Sequence, residues 1–130
     1  MKILLFLSLL LLLNSPDVSS QTIVVKETKE ESKVCNLIAR LPEVINADQY
    51  IKKVTNGKRH LLSYLGSKPT KVEPYYIVKV AEDNGSSYHT HFIFYVQPKT
   101  YQIFYMDTAA GRLSPEKQCR RKLISNYLIR

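Results

Sequence analysis

A strict alternation of side chains over residues 88–97 constrains this chain more than any other feature. Successive side chains of a β-strand point to opposite faces of a sheet, so the stretch predicts a strand with two different faces. It is the clearest strand signal in the sequence and indicates that the fold contains a β-sheet. One face is predicted to carry Tyr88, Thr90, Phe92, Phe94 and Val96, and the other His89, His91, Ile93 and Tyr95.

Three other stretches predict strands in the same half of the chain. They cover residues 60–66, 75–80 and 101–107, and turn signals separate them. The sequence Asp83-Asn84-Gly85-Ser86 is typical of a hairpin turn. A short β-branched run at residues 22–25 predicts an additional edge strand near the N-terminus, and the last twenty residues are expected to cover a sheet edge.

Residues 34–54 show helical periodicity, because their apolar side chains recur three or four positions apart. Pro42 interrupts this pattern, which leaves open one kinked helix or two consecutive helices. Ser32 is the candidate N-cap, and Asn56-Gly57 is the candidate C-cap. The sequence therefore predicts an α+β fold: a four- to five-stranded antiparallel meander sheet with this helical segment packed across one face.

The N-terminal residues predict a signal peptide. Lys2 precedes an apolar run at residues 3–13, which is shorter than the roughly 20 residues a membrane-spanning helix needs. Small side chains at Val18-Ser19-Ser20 favour cleavage after Ser20. We therefore expect residues 1–20 to be a signal peptide and residues 21–130 to form one secreted or periplasmic domain without a transmembrane anchor.

The net charge of +8 narrows the class of partner. Outside the cytoplasm a basic protein meets lipopolysaccharide, anionic lipid, acidic glycans or acidic protein surfaces, and nucleic acid is not expected. The alternative is a solvated basic surface with no specific ligand. Arg120, Arg121 and Lys122 form a dense basic run and are candidate binding residues. Their replacement by serine is expected to weaken binding while the fold survives, because exposed charges contribute little to stability.

Cysteine and histidine positions suggest two further kinds of site. Cys35 and Cys119 are an even pair in a chain predicted to be exported, which predicts one disulfide. Two unpaired thiols or a bridge between chains are the alternatives. His89 and His91 leave the same face of a strand, and His60 could be a third ligand, so the three are candidate zinc ligands. The alternative is that they are solvent-facing residues.

The sequence contains no pattern typical of an enzyme active site, and no cofactor is predicted. Asp107 is the one acidic candidate for proton transfer, and the alternative is a residue that ends a strand in a turn. Nine tyrosines without a tryptophan are more suggestive of binding. Tyrosine combines an apolar ring with a polar tip and is enriched at interfaces, so Tyr75 and Tyr95 are candidate binding residues.

The order of elements resembles the cystatin-like superfold. Residues 41–107 also resemble a group of small uncharacterised exported bacterial proteins. That likeness is carried by Tyr75-Tyr76-Ile77-Val78-Lys79-Val80, Glu82-Asp83-Asn84-Gly85, Thr90-His91-Phe92, Phe94-Tyr95-Val96-Gln97-Pro98-Lys99-Thr100 and Tyr105-Met106-Asp107. The inhibitory cystatins carry a Gln-x-Val-x-Gly hairpin that this chain lacks, so their activity does not transfer.

These features predict a non-enzymatic exported binding module. It could act as an inhibitor or an immunity-type protein that binds a protein or an anionic envelope component. The oligomeric state does not follow from the sequence. The alternative is a protein with a small-molecule or isomerase-like pocket between helix and sheet.

Overall fold

The computed structural model describes residues 27–128. The predicted signal peptide and the strand predicted at residues 22–25 lie outside these residues. In chain order the elements are α1 (Lys29–Ala39), α2 (Pro42–Val54), β1 (Leu61–Ser67), β2 (Tyr76–Asp83), β3 (Tyr88–Val96), β4 (Ile103–Asp107), β5 (Arg112–Pro115) and α3 (Glu116–Ser125). The fold is α+β, with three helices packed against an open five-stranded antiparallel sheet.

The helical segment divides into two helices at Pro42. A capping box starts α1, because the Thr28 hydroxyl accepts from the Glu31 N–H and the Glu31 carboxylate accepts from the Thr28 N–H. Thr28 is therefore the N-cap, and the prediction of Ser32 was wrong. Pro42 is the first residue of α2, where its missing N–H costs no helical hydrogen bond. Gly57 follows α2 with a φ of 75°, as expected beyond a helix end.

The sheet follows the predicted meander and adds one strand. Its order is β1-β2-β3-β4-β5, and every neighbouring pair is antiparallel. The region predicted only to cover a sheet edge instead forms β5 and α3. Leu123 supplies the buried apolar contact that holds α3 against the core.

A β-bulge at His91 changes the predicted faces of β3. Val80 pairs with Phe92 and Ala81 pairs with Thr90, so His91 is an extra residue between them. Two successive side chains, His91 and Phe92, therefore lie on the helical side of the sheet, where both rings approach Tyr127. Phe92, Phe94 and Val96 share one buried face as predicted, but Tyr88 and Thr90 lie on the opposite face.

The core lies between the sheet and the helices. Val34 and Ile38 of α1, and Val44 and Ala47 of α2, pack with inward side chains of β2 and β3. The inward strand residues are almost completely buried: Val78, Val80, Phe92, Phe94 and Val96. Side chains thus fill the space between the two layers, in which the alternative function would require a pocket.

The two cysteines do not form the predicted disulfide. Both are free thiols and are not close to each other. Cys35 lies on α1, which packs against β1 and β2, whereas Cys119 lies on α3, which packs against β4 and β5. A disulfide needs Cα atoms about 4.4–6.8 Å apart, and helices over opposite halves of the sheet do not bring the two residues together.

We predict that the folded protein carries two reduced cysteines of unequal reactivity. Burial, followed by the nearby Glu27 carboxylate, raises the pKa of the Cys35 thiol to about 11, so little thiolate forms at pH 8. Iodoacetamide should therefore modify the half-buried Cys119 first, and Cys35 only after unfolding. Intact mass and peptide mapping would check both points. A native mass about 2 Da below the reduced value would show that a disulfide forms.

Candidate functional site

The face of the sheet opposite the helices, called here the outer face, is the most distinctive surface of the molecule. Tyr75 and Tyr95, selected from the sequence, meet on it with ring centroids 5.8 Å apart. Tyr75 also lies 5.9 Å from Phe104, and both contacts are edge-to-face, a favourable arrangement for aromatic rings. Burial, with a smaller effect from Glu73, raises the pKa of Tyr95, so its hydroxyl stays protonated at neutral pH.

Most side chains of the outer face are apolar or aromatic. Strand register places the following residues on it: Leu62, Tyr64, Ser67, Ile77, Lys79, Ala81, Asp83, Tyr88, Thr90, Ile93, Tyr95, Phe104, Met106, Leu113 and Pro115. Asp83 is the one carboxylate in this set. Lys79 of β2 is the one cation in this set. Within residues 27–128 no helix covers the outer face, because the buried residues of all three helices join the core on the other side.

The outer face has about the area of the largest apolar patch found on an ordinary monomer. Five strands about 4.8 Å apart, with about seven residues each at about 3.3 Å per residue, span about 500 Å² of flat area. The largest apolar patch on a monomer is commonly about 300–600 Å² and often functional. The outer face therefore has the size and chemistry of an interaction surface.

The basic run of α3 lies on the helical side of the sheet, away from the outer face. Arg121 and Lys122 are exposed, and Lys122 Nζ lies 3.9 Å from Asp107 Oδ2. Arg120 differs from both, since its Nε donates to Glu116 Oε1 at 2.7 Å and lies 3.5 Å from Glu43 Oε2. The candidate tyrosines and the candidate basic residues thus belong to two separate surfaces.

Glu43 and Glu116 are buried carboxylates from two different helices. Glu43 is 0% exposed, and neither of its carboxylate oxygens has a hydrogen-bond partner in the described part of the chain. Burial, together with the neighbouring Glu116 carboxyl, raises the pKa of Glu43 to about 7, although Arg120 acts in the opposite direction. Burial therefore favours the protonated form of Glu43 more than that of an exposed glutamate.

His91 makes hydrogen bonds through both ring nitrogens. Its Nε2 lies 3.1 Å from Glu82 Oε2, and its Nδ1 lies 2.7 Å from the Tyr127 hydroxyl. An ionised carboxylate can only accept, so Nε2 donates to Glu82, and in the neutral ring Nδ1 accepts from Tyr127. Arg59, hydrogen-bonded to the other Glu82 oxygen, is the main cause that lowers the pKa of Glu82, and His91 adds to it.

The arrangement Glu82–His91–Tyr127 has the order of a carboxylate, a base and a hydroxyl, but it does not activate the hydroxyl. Burial raises the pKa of Tyr127 to about 12, which keeps the phenol protonated. The Tyr127 ring also packs edge-on against Tyr50, at 5.7 Å, and near Phe92. The contacts of Tyr127 therefore hold the residues that follow α3 against the sheet and α2.

The three candidate zinc ligands are not grouped as a metal site. Among residues 27–128, no three His, Cys, Asp or Glu side chains are placed so that they could hold a metal ion. His89 is exposed, with its ring centroid 5.1 Å from that of His91, whereas His60 is exposed just before β1. A metal ion at His91 would have to displace Glu82 or Tyr127.

Asp107 is the last residue of β4, and its side chain contacts the turn that follows. Its Oδ1 accepts hydrogen bonds from the N–H groups of Ala109 and Ala110, and the bond from Ala110 is the main cause of its lowered pKa. This geometry matches the turn role that the sequence left as an alternative. A carboxylate stabilised in its ionised form by backbone donors is a weak base for proton transfer.

Sequence reasoning missed most of the outer face and the buried carboxylates. A signal for the outer face existed, because the apolar Ile77 and Ala81 alternate with the inward Val78 and Val80, so part of each face of β2 is apolar. Glu43 gave no such signal, since a glutamate after a proline is ordinary in the first turn of a helix. Its burial depends on α3, which the sequence did not predict.

Comparison of the chain with protein families, curated proteins and solved structures finds no match. The likeness to cystatins therefore stays a prediction. The helices between residues 27 and 128 include none that is long and apolar enough to cross a membrane.

We predict that Glu43 makes the folded protein less stable as the pH rises from about 4.5 to about 7. Its pKa is raised from 4.5 in the unfolded chain to about 7, so the folded state binds the proton more tightly and loses this advantage across that interval. Glu43→Gln, which stays neutral, should remove on the order of 2 kcal/mol of this loss. Urea unfolding at several pH values would measure it, with Glu73→Gln, in the loop before β2, as the control. An unchanged pH profile in Glu43→Gln would contradict the prediction.

The structure also changes the expectation for Arg120. Arg120→Ser should lower the free energy of unfolding by about 2 kcal/mol at neutral pH, because it leaves two buried carboxylates without their cation. Arg121→Ser, on an exposed neighbour, should change it by less than about 0.5 kcal/mol. The loss of unfolding free energy caused by Arg120→Ser should be smaller in a Glu43→Gln background, because one of the two buried carboxylates is then absent. Equal effects of the two serine variants would show that Arg120 is an ordinary surface charge.

Proposed function

We propose that this protein is an exported, non-enzymatic binding module that docks onto a protein partner through the outer face of its sheet. The observation that carries the proposal is the apolar and aromatic surface centred on the half-buried Ile93, Tyr95 and Phe104, which no helix covers within residues 27–128. An apolar surface of this size exposed to water favours association, because its burial releases roughly 25 cal/mol per Å². Tyrosine and phenylalanine are also enriched in the cores of such contacts.

The charge distribution indicates the chemistry of the partner. The chain carries a net charge of +8, and Lys79 is the cation among the apolar residues of the outer face. A partner with an apolar patch and a carboxylate opposite Lys79 would match both features. The net charge would attract such an acidic partner over a Debye length of about 8 Å at physiological salt. An inhibitor or an immunity-type protein, which binds one protein surface, fits this description.

The filled core supports binding rather than a pocket function. Val34, Ile38, Val78, Val80 and Phe94 occupy the space between helix and sheet in which an isomerase-like protein would hold its substrate. Asp107, the candidate acid, lies instead in an exposed turn region at the end of β4.

We predict that charges on the outer face abolish partner binding while the fold survives. The test is Ile93→Glu/Phe104→Glu, which places two carboxylates on the outer face. The matched control is Val54→Glu/Val72→Glu, because these valines are 55% and 94% exposed and lie outside that face. The partner is captured from envelope and secreted fractions and then titrated against each variant. Its affinity should fall at least about 100-fold for Ile93→Glu/Phe104→Glu and stay unchanged for the control.

A third variant separates the two candidate surfaces. Lys117→Ser/Arg121→Ser/Lys122→Ser removes the basic charges of α3 but keeps Arg120 with its buried carboxylates. If this variant loses binding and the outer-face variant does not, the basic helix is the docking surface and the proposal is wrong. Circular dichroism of every variant would confirm that the sheet is intact.

A further inference from the structure

β1 is an edge strand without the features that usually protect an edge. It lies at one end of the strand order, and its sequence Leu-Leu-Ser-Tyr-Leu-Gly-Ser contains neither a charge nor a proline. Natural edge strands are commonly protected by lysine, proline, a bulge or very short length. β1 has seven residues, and its bulge lies at Gly66, near its end. Most of the strand is therefore suited to pairing with another chain.

The backbone of β1 has donors and acceptors directed away from β2. The Leu61 N–H donates to Asp48 Oδ1 at 2.8 Å, so it points toward α2 and not into the sheet. Backbone groups alternate in direction along a strand, so those of Ser63 and Leu65 point to the same open side. Asp48 thus pairs with the outward N–H of Leu61. Within residues 27–128 no strand pairs with the outward groups of Ser63 and Leu65.

A groove runs beside this edge on the helical side. It has a volume of about 300 Å³, and its wall includes Leu61 and Ser63 of β1 with Val44 and Ile45 of α2. Ile45 is 45% exposed, an unusual position for an isoleucine on a helix that also buries its neighbour Val44. An added strand would direct every second side chain toward this groove, as peptides do when they extend a sheet.

Charges at the groove and at the ends of β1 specify the occupant. Within the groove, Asp48 and Lys52 neutralise each other at 2.6 Å, so an apolar side chain fits there. Lys58 lies before β1 and Lys71 lies after it, both exposed, whereas Lys68 is already paired with Glu31 at 2.6 Å. A second copy paired antiparallel would bring the lysines of opposite ends together, and like charges repel. Carboxylates at both ends of the added strand would instead be attracted.

We propose that β1 and its groove bind an extended segment of a partner protein, apolar in its middle and acidic at its flanks, as a sixth strand of the sheet. The inference rests on the proposed function in that both require a protein partner, but it uses a different surface. The added strand contributes backbone hydrogen bonds to Ser63 and Leu65, and its inward side chains pack against Ile45. Specificity comes from the groove, and the flanking carboxylates add attraction that salt weakens.

A synthetic peptide is the probe for this site. It has alternating valine and threonine in the middle and glutamates at each end. The peptide is titrated into isotope-labelled protein, and the amide NMR signals of Ser63, Leu65 and Ile45 should shift most strongly. The same peptide with lysines in place of the glutamates should bind at least about 10-fold more weakly at low salt. N-methylation of the amides that face β1 should abolish binding, because it removes the pairing donors.

Variants on α2 provide the matched comparison. Ile45→Glu should weaken binding of the glutamate-flanked peptide at least about 10-fold, since it replaces the apolar side chain that the added strand packs against by a carboxylate. Val54→Glu adds the same charge to the same helix outside the groove and should leave affinity unchanged. Equal losses in both variants would overturn the inference. So would the absence of shifts at β1 up to millimolar peptide, or a dimer with protected β1 amides before any peptide is added.

The outer-face variant distinguishes this inference from the proposed function. Ile93→Glu/Phe104→Glu should still bind the peptide, because those residues do not line the groove. If the peptide fails while the outer-face variant still loses the captured partner, the edge inference is wrong and the proposed function stands. If the peptide binds at β1 and the captured partner binds the outer-face variant as tightly as the unmodified protein, the edge is the binding site and the outer-face proposal is wrong.

Discussion

Burial of the sheet on one side only is the constraint on which the rest of this structure depends. Val78, Val80, Phe92 and Phe94 are covered by α1 and α2, which provide the hydrophobic contact that stabilises the domain. Both faces of the central strands are apolar, yet the described chain supplies one helical layer. The outer face is thus a direct consequence of this architecture, since a sheet with two apolar faces is fully buried only between two layers.

Polar contacts, more than apolar ones, fix the position of α3. Leu123 is the buried apolar residue of this helix. At its beginning, Glu116 and Arg120 meet the buried Glu43 of α2, and beyond its end Tyr127 meets His91 of the bulge. The two networks hold both ends of a helix that has little apolar surface of its own. Such networks stabilise only when their members stay paired, so α3 is the element most sensitive to protonation.

The sequence was sufficient to predict elements that depend on local patterns. The alternation of β3 from Phe92 to Val96, the hairpin at Asn84-Gly85 and the break at Pro42 each appear in the structure as expected. Features that depend on distant partners were missed. The bulge at His91 reverses the faces of Tyr88 and Thr90, and no periodicity predicts one inserted residue.

The candidate site was predictable to a similar degree. Tyr75 and Tyr95 were selected for their chemistry, and the structure brings them into contact. Arg120 was grouped with Arg121 because they are adjacent in sequence, but successive helical residues point in different directions, and only Arg120 reaches the buried carboxylates. The cysteines could not be placed from their number alone, because α1 and α3 lie over opposite halves of the sheet.

The meander order of the sheet has a consequence for how the chain folds. Each strand pairs with the strand that precedes or follows it in sequence, so every pairing closes a short loop. Loop-closure entropy then stays small, and folding rates rise as the sequence separation of contacts falls. The hairpins can form one after another, and β1 and β5 are the two edge strands of the resulting sheet. Within residues 27–128, β1 is therefore an edge strand both while the hairpins form and in the folded domain.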